Sequence, residues 1–277
     1  IHTNNMRVVI TGGTRGIGLA LCRRFLVEGD SVVVTTRSER KVAEMQASLF
    51  SDPDVCDRAR VMQADVTDFP SLTALVTSAA QWLGGIDMWI NNAGINGINV
   101  NLVETEPAQI KSVIETNLTG TLLCCRAVLP YMIEKGHGHI FNMDGAGSNG
   151  MMTAGYMTYG VSKNAIPYLS KVLGKETKGT GVGIHTISPG MVLTDLLLHD
   201  VTPEAVPIFN ILAELPSSVA DFLVPRIRAT KEGSSGTYHK MLTTPKVMWK
   251  FLTARSRKGR FFNEEGQYTG TEDIGVL

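Results

Sequence analysis

Tyr159 and Lys163 stand four residues apart in Tyr159-Gly160-Val161-Ser162-Lys163, a spacing that puts both on one face of a helix. A free phenol has a pKa of about 10, too high for easy proton exchange near neutrality. An ammonium one turn away favours phenolate and lowers that value. The pair therefore suits proton transfer, with Tyr159 as general acid and Lys163 as its tuner. About 150 residues earlier, Thr11-Gly12-Gly13-Thr14-Arg15-Gly16-Ile17-Gly18 forms a glycine loop. Glycines let the backbone turn and approach a pyrophosphate closely, and a helix start offers free N–H groups and a favourable dipole. Together the two motifs point to nicotinamide-dependent reduction of a carbonyl, or its reverse.

The elements that must hold these residues are legible as a repeating pattern. Short apolar runs at 7–10, 31–35, 60–62, 86–90, 139–143 and 183–187 predict six strands, and stretches at 17–28, 70–82, 107–134 and 156–178 predict helices. Continuous apolar strands alternating with helices predict an α/β fold, a parallel sheet covered on both faces. Residues 230–238, rich in Gly, Ser and Thr, read as a mobile loop. The 277 residues and 43% hydrophobic content suit one domain with an elaborated end. Lys plus Arg equals Asp plus Glu at 26 each, which argues against global attraction to nucleic acid. The four cysteines form no CxxC pair and no zinc-spaced Cys/His cluster, so no metal site is expected and a reducing compartment is the simplest reading. No apolar run approaches the roughly 20 residues that span a bilayer.

The Gly-x-x-x-Gly-x-Gly spacing, Asn91-Asn92-Ala93-Gly94 after the fourth strand, the YxxxK motif at 159–163 and Pro189-Gly190 after the sixth strand resemble, in order, the short-chain dehydrogenase/reductase family over about residues 6–195. That resemblance implies a Rossmann-type doubly wound sheet, with 6–195 as cofactor-binding and catalytic core and 196–277 as substrate flap and C-terminal extension. It implies cofactor contacts from Gly12, Thr14, Arg15, Gly16, Ile17 and Gly18, from Ala93 and Gly94, and from Pro189, Gly190 and Val192. Asp65 and Val66 are expected to flank adenine, Asn91 to line the groove, and Thr194 to meet the nicotinamide carboxamide. Lys163 is expected to bind ribose as well as tune Tyr159. NAD-preferring relatives end the second strand with an acid; here Thr36 and Arg37 stand there. A guanidinium can bind a 2′-phosphate that a carboxylate would repel, so NADPH is expected, with NADH as the alternative. A solvated surface arginine is the other reading of Arg37.

Asn117 matches the family asparagine that helps hold a proton-relay water. The family's catalytic serine is the main departure. It usually stands about 13 residues before the tyrosine, which here is Ala146, while alignment from the fifth strand puts Asp144 and Gly145 there. Ser148 is the nearest hydroxyl and the expected replacement, with the backbone N–H groups of 145–148 as the alternative. Asp144 is a poor substitute unless protonated, because a carboxylate repels a developing alkoxide.

Residues 141–148, 188–198, 209–216 and 223–226 resemble chlorophyll b reductases, a likeness running from about 138 to 265. It implies NADPH-dependent reduction of the 7-formyl group of chlorophyll or chlorophyllide b to 7-hydroxymethyl. Reduction of another bulky lipophilic carbonyl, such as a steroid or quinone, and a non-catalytic nucleotide-binding regulator are the competing readings. The apolar stretch 191–225 suits either a wall for a macrocycle or a packed helical flap. His185 sits in a strand pattern and reads as structural; His199 is a weaker candidate to ligate a chlorin magnesium. Basic residues from Lys246 to Arg260 alternate with aromatics, which suits contact with an anionic membrane surface or a packed helix with a solvated basic face. Family relatives commonly form homo-oligomers, although the usual glycine-rich last strand is not evident. A photosynthetic eukaryotic source implies the chloroplast, at the stroma or thylakoid surface, and a prokaryotic one the cytoplasm.

Overall fold

Alternation along the strands decides the architecture. Val8, Ile10, Val32, Val34, Met88 and Ile90 belong to one buried cluster, and Val9, Val33, Trp89, Ile140 and Ile184 to another. Successive strand side chains point to opposite faces, so this sheet is apolar on both and needs helices on both. The computed structural model describes residues 5–49, 53–198, 204–263 and 265–270. In chain order its elements are β1 (Arg7–Ile10), α1 (Gly16–Val27), β2 (Ser31–Thr36), α2 (Glu39–Leu49), α3 (Pro53–Cys56), β3 (Ala59–Gln63), α4 (Phe69–Leu83) and β4 (Met88–Asn91). They continue with α5 (Pro107–Ile114), α6 (Gly120–Lys135), β5 (Gly138–Met143), α7 (Met157–Glu176), β6 (Val182–Ser188), α8 (Asp195–Leu198), α9 (Val206–Leu212), α10 (Pro216–Arg228), β7 (Tyr238–Lys240) and α11 (Thr244–Leu252).

The sheet has seven strands in the order β3-β2-β1-β4-β5-β6-β7, and every pairing is parallel. This is a Rossmann-type arrangement, and the order reverses between β1 and β4. Ligands of such sheets bind in the crevice at the carboxyl ends of the strands beside that reversal. The loops after β1 and β4 both open there.

Two features depart from the sequence reading. The helix expected over 107–134 is interrupted by a π-helical turn at Glu115–Thr119. The stretch read as a loop ends in a strand: Thr186 pairs with Tyr238 and Ser188 with Lys240. Tyr238-His239-Lys240 carries no aliphatic run, which hides it from pattern reading, yet it closes the sheet edge beside β6. A third apolar cluster joins Leu193, Val206, Phe209 and Ala213 to Phe261 and Phe262.

Candidate active site

The glycine loop is braced by the segment after β4. Thr11 Oγ1 accepts from the backbone N–H groups of Asn92 and Ala93, each at 3.1 Å. The Asn92 amide donates to the carbonyls of Thr11 (3.0 Å) and Gly12 (2.9 Å). Glycine is required at two points of this contact. A Cβ on Gly12, whose φ is +65°, would stand 2.8 Å from Ala93 Cα; one on Gly18 would stand 2.5 Å from the Gly12 carbonyl oxygen. The first turn of α1 carries no acidic residue, and Arg15 makes no side-chain cap bond to it. Its N–H groups are thus left for an anion, and the close-packed glycine cradle fits a dinucleotide pyrophosphate.

The other expected cofactor contacts follow β2, β3, β4 and β6, whose carboxyl ends the parallel sheet brings to one edge. Thr194 lies against the loop, since a Cβ on Gly16 would come within 3.2 Å of its methyl carbon. Arg15 reaches across to Asp195 at 3.5 Å. Thr36 is buried at the end of β2 and Arg37 is exposed beyond it, its carbonyl accepting from Gln63. Asp65 is turned onto Thr67, whose N–H and hydroxyl donate to it at 2.8 and 2.7 Å. Val66 packs against Gly120, where a Cβ would meet its methyl carbon at 2.8 Å. Gly190 turns with φ +76°, and Val192 is buried. The Asn91 side chain does not face the groove. It is sunk in the core between Trp89 Nε1 and the Asn142 side chain, both at 2.8 Å. Asn92, which the motif reading passed over, is the asparagine that shapes the loop.

Tyr159 and Lys163 project from α7 toward the end of β5. Lys163 is 5% exposed, and its Nζ donates to the Met143 carbonyl at 3.3 Å. That nitrogen lies 5.8 Å from the centre of the Tyr159 ring. Asn117 stands fully buried in the π-helical turn; such turns re-aim side chains at functional sites. Its amide exchanges two 2.8 Å bonds with the backbone of Ile95 and donates to Ser162 Oγ at 3.1 Å. A Cβ on Gly94 would lie 3.3 Å from Asn117 Oδ1 and 3.6 Å from Lys163 Nζ, so these three positions converge. At Gly145 a Cβ would stand 2.5 Å from the Tyr159 hydroxyl, which places residue 145 opposite the phenol. Ser148 Oγ donates instead to Asp144 Oδ2 at 3.0 Å.

A sequence model described as short chain dehydrogenase matches residues 6–204. The chain belongs to the short chain dehydrogenase family. It is 42% identical over 276 residues to "Probable chlorophyll(ide) b reductase NYC1, chloroplastic" of Oryza sativa subsp. japonica, covering 94% of this chain and 54% of that protein. It is 38% identical over 269 residues to "Chlorophyll(ide) b reductase NOL, chloroplastic" of Arabidopsis thaliana, covering 93% of this chain and 77% of that one. The chain thus spans about half the length of the first relative and three quarters of the second. Among solved structures, an actinorhodin polyketide ketoreductase variant with NADPH superposes with TM-score 0.71 at 28% identity, covering 84% of this chain and 95% of that chain.

The structure changes two expectations for the site, the electrostatics of Tyr159 and the role of Ser148. Burial holds the Tyr159 phenol above its ordinary value, and the charge of Asp144 and the neighbouring Tyr156 add to this. The sequence reading expected Lys163 to lower it. Desolvation of the phenolate dominates instead, and the ammonium is itself desolvated: burial pulls Lys163 down to about 8, partly opposed by Asp144. The phenol is therefore fully protonated at neutral pH, the form that a reduction consumes. Of the positions considered for the serine, Gly145 is the one that lies against the Tyr159 hydroxyl. Ser148 is committed to Asp144 rather than to the phenol. Pattern reading missed two residues, Ser162, which accepts from Asn117, and Tyr238, whose hydroxyl donates to Asp144 Oδ2. His185 is structural: it is fully buried, stacks on Phe141 at 4.8 Å and meets His139 at 2.9 Å. His199 lies outside the described residues.

Proposed function

We propose that this chain is an NADPH-dependent reductase that converts the 7-formyl group of chlorophyll b or chlorophyllide b to 7-hydroxymethyl, the opening step of chlorophyll b breakdown. One observation carries this reading. The family model ends at residue 204, whereas the likeness to the plant chlorophyll(ide) b reductases covers 93–94% of the chain. The shared sequence therefore runs past the family core into the stretch expected above to be the substrate flap. The chloroplast, named for both relatives, is the compartment this reading implies, and the pigment-bearing membrane face is the place of action.

When bound, NADPH supplies the hydride that reaches the formyl carbon. The glycine loop and the first turn of α1 hold the pyrophosphate through backbone N–H groups. Arg37, at the end of a strand that carries no acid, takes the 2′-phosphate. Arg15 joins it on releasing Asp195, to which it is held only by an exposed 3.5 Å pair. Lys163 holds ribose and faces Tyr159, which gives its proton to the formyl oxygen as the carbon is reduced, so the aldehyde becomes a primary alcohol. Asn117 keeps the 95–117 contact and, through Ser162, the first turn of α7 in place.

Helix α11 supplies the membrane contact. It is built inside out: Lys250 is buried, while Met248, Trp249 (64% exposed), Phe251 and Leu252 (79% exposed) face solvent. Lys246, Arg255 and Lys258 are exposed nearby. An apolar face rimmed by cations fits an anionic lipid surface. Among the described residues no helix is long and apolar enough to cross a membrane. Flotation with anionic vesicles tests this: wild type rises with them, and a chain that stays at the bottom removes the contact. The catalytic reading is tested by incubation with NADPH and chlorophyllide b. Conversion of the formyl absorbance spectrum to the hydroxymethyl one is expected. NADPH consumption with other carbonyls alone would replace the substrate.

A further inference from the structure

The carboxyl of Asp144 lies one residue before Gly145, the residue opposite the Tyr159 hydroxyl. It is 2% exposed, directly after β5, with its N–H bonded to the Ile187 carbonyl at 2.9 Å. Both flanking residues touch the catalytic pair. The Met143 carbonyl accepts from Lys163 Nζ at 3.3 Å, and Gly145 lies against the Tyr159 hydroxyl. The Ser148 and Tyr238 hydroxyls both donate to one oxygen, Oδ2. The other oxygen, Oδ1, is buried with no partner.

A serine or tyrosine hydroxyl has one proton to donate. While Asp144 holds those of Ser148 and Tyr238, neither is available to a substrate oxygen. An unpaired buried carboxylate oxygen is also costly, so a packing role alone explains the arrangement poorly. We propose that Asp144 is a positioning residue of this site: it ties Ser148 and Tyr238 into one cluster and sets its carboxylate beside the Tyr159–Lys163 pair. This rests on the reductase reading above for its consequence in turnover, but the coupling itself belongs to the chain alone.

The ionisable groups facing Asp144 are few. From α7 come Tyr159 and Lys163, with Tyr156 just before them; from β7 comes Tyr238, whose ring carries the Lys240 ammonium 3.9 Å from its centre. β6 contributes only the neutral Ser188. The negative charge favours the ammonium of Lys163 and disfavours the phenolate of Tyr159. Removing it moves both groups the same way, toward losing their protons at lower pH. Burial raises Asp144 itself, against the opposing effect of the Tyr238, Ser188 and Ser148 hydroxyls.

The test uses the full chain with lysines labelled at the ε-carbon, the Lys163 signal being assigned by its loss in Lys163→Arg. Its titration is followed by NMR without cofactor or pigment, in wild type and in Asp144→Asn. The proposal expects the midpoint to fall by about one pH unit. The alkaline limb of kcat/KM for pigment reduction moves down with it. An unchanged midpoint overturns the proposal, whatever the activity. If Asp144→Asn does not fold, Tyr238→Phe decides: kcat falls severalfold with NADPH affinity retained, whereas wild-type kcat sinks the idea. A wild-type chain that titrates as expected but reduces no pigment removes the reductase reading and leaves Asp144 in place.

Discussion

Lys163 on α7 and Lys250 on α11 are buried almost equally, at 5% and 7% exposed, yet they sit in opposite surroundings. Lys250 meets Glu214 at 2.5 Å, and Arg260 meets the other oxygen of the same carboxylate at 2.6 Å. Burial pushes Glu214 up, but those hydrogen bonds more than reverse it and hold its carboxyl below the ordinary range. Burial, with the nearby Arg257 and Arg260, pulls Lys250 down more than Glu214 lifts it. At these distances, with a second cation on the carboxylate, the cluster is ionised. Lys163 has no carboxylate within ion-pair distance among the described residues; its neighbours are the Met143 carbonyl and the Tyr159 ring. A buried ammonium satisfied by a carboxylate is structure, and one left short of a partner is held for chemistry.

Exchanging each lysine for methionine is the sharpest way to break that comparison. Lys163→Met is expected to lower turnover by about two orders of magnitude or more, with the melting temperature unchanged or raised, as steady-state kinetics and calorimetry will show. The stability gain has a definite window. Because the folded value, about 8, lies below the ordinary one, the ammonium costs stability below that pH. The cost fades as pH rises toward 10.5, and with it the advantage of methionine. Lys250→Met should do the reverse, leaving kcat near wild type in pigment assays while destabilising by about 3 kcal/mol, the lower end for a broken buried pair because Arg260 remains. A Lys250→Met chain as stable as wild type would end the comparison.

Smaller effects sharpen it. Arg37→Asp is expected to shift the NADPH to NADH ratio of kcat/KM by about tenfold or more toward NADH, since it exchanges a phosphate partner for a repelling charge. Glu214, held below its ordinary value, contributes stability that is full above the unfolded carboxylate range and lost as pH falls through the folded value. Acid unfolding followed by Trp249 fluorescence should therefore begin in the α11 corner below about pH 4, and Glu214→Gln should flatten that limb. Trp249→Ser with Leu252→Ser is expected to change stability least, because both side chains are exposed, while reducing vesicle flotation.

The cofactor half was legible because its signals are local. A strand, a glycine loop and a helix are adjacent in sequence, and Tyr159 and Lys163 share one helical turn, so spacing alone brings them together. The substrate half depends on contacts between distant segments. Tyr238 reaches Asp144 across 94 positions through a three-residue strand with no aliphatic pattern. The π-helical turn that aims Asn117 leaves no mark in a 3.6-residue periodicity. Ser148 was chosen by distance along the chain, and the turn after β5 spends its hydroxyl on Asp144. The basic stretch after Lys246 read as a solvated or membrane-facing surface; its lysine at 250 points inward, and its apolar residues point out.

The most direct measurement compares wild type with Tyr159→Phe in the presence of NADPH and chlorophyllide b, following the formyl-to-hydroxymethyl absorbance change. The account predicts steady conversion by wild type and loss of at least two orders of magnitude in the variant. Conversion by the variant at the wild-type rate, or none by a wild type that binds NADPH, would contradict it.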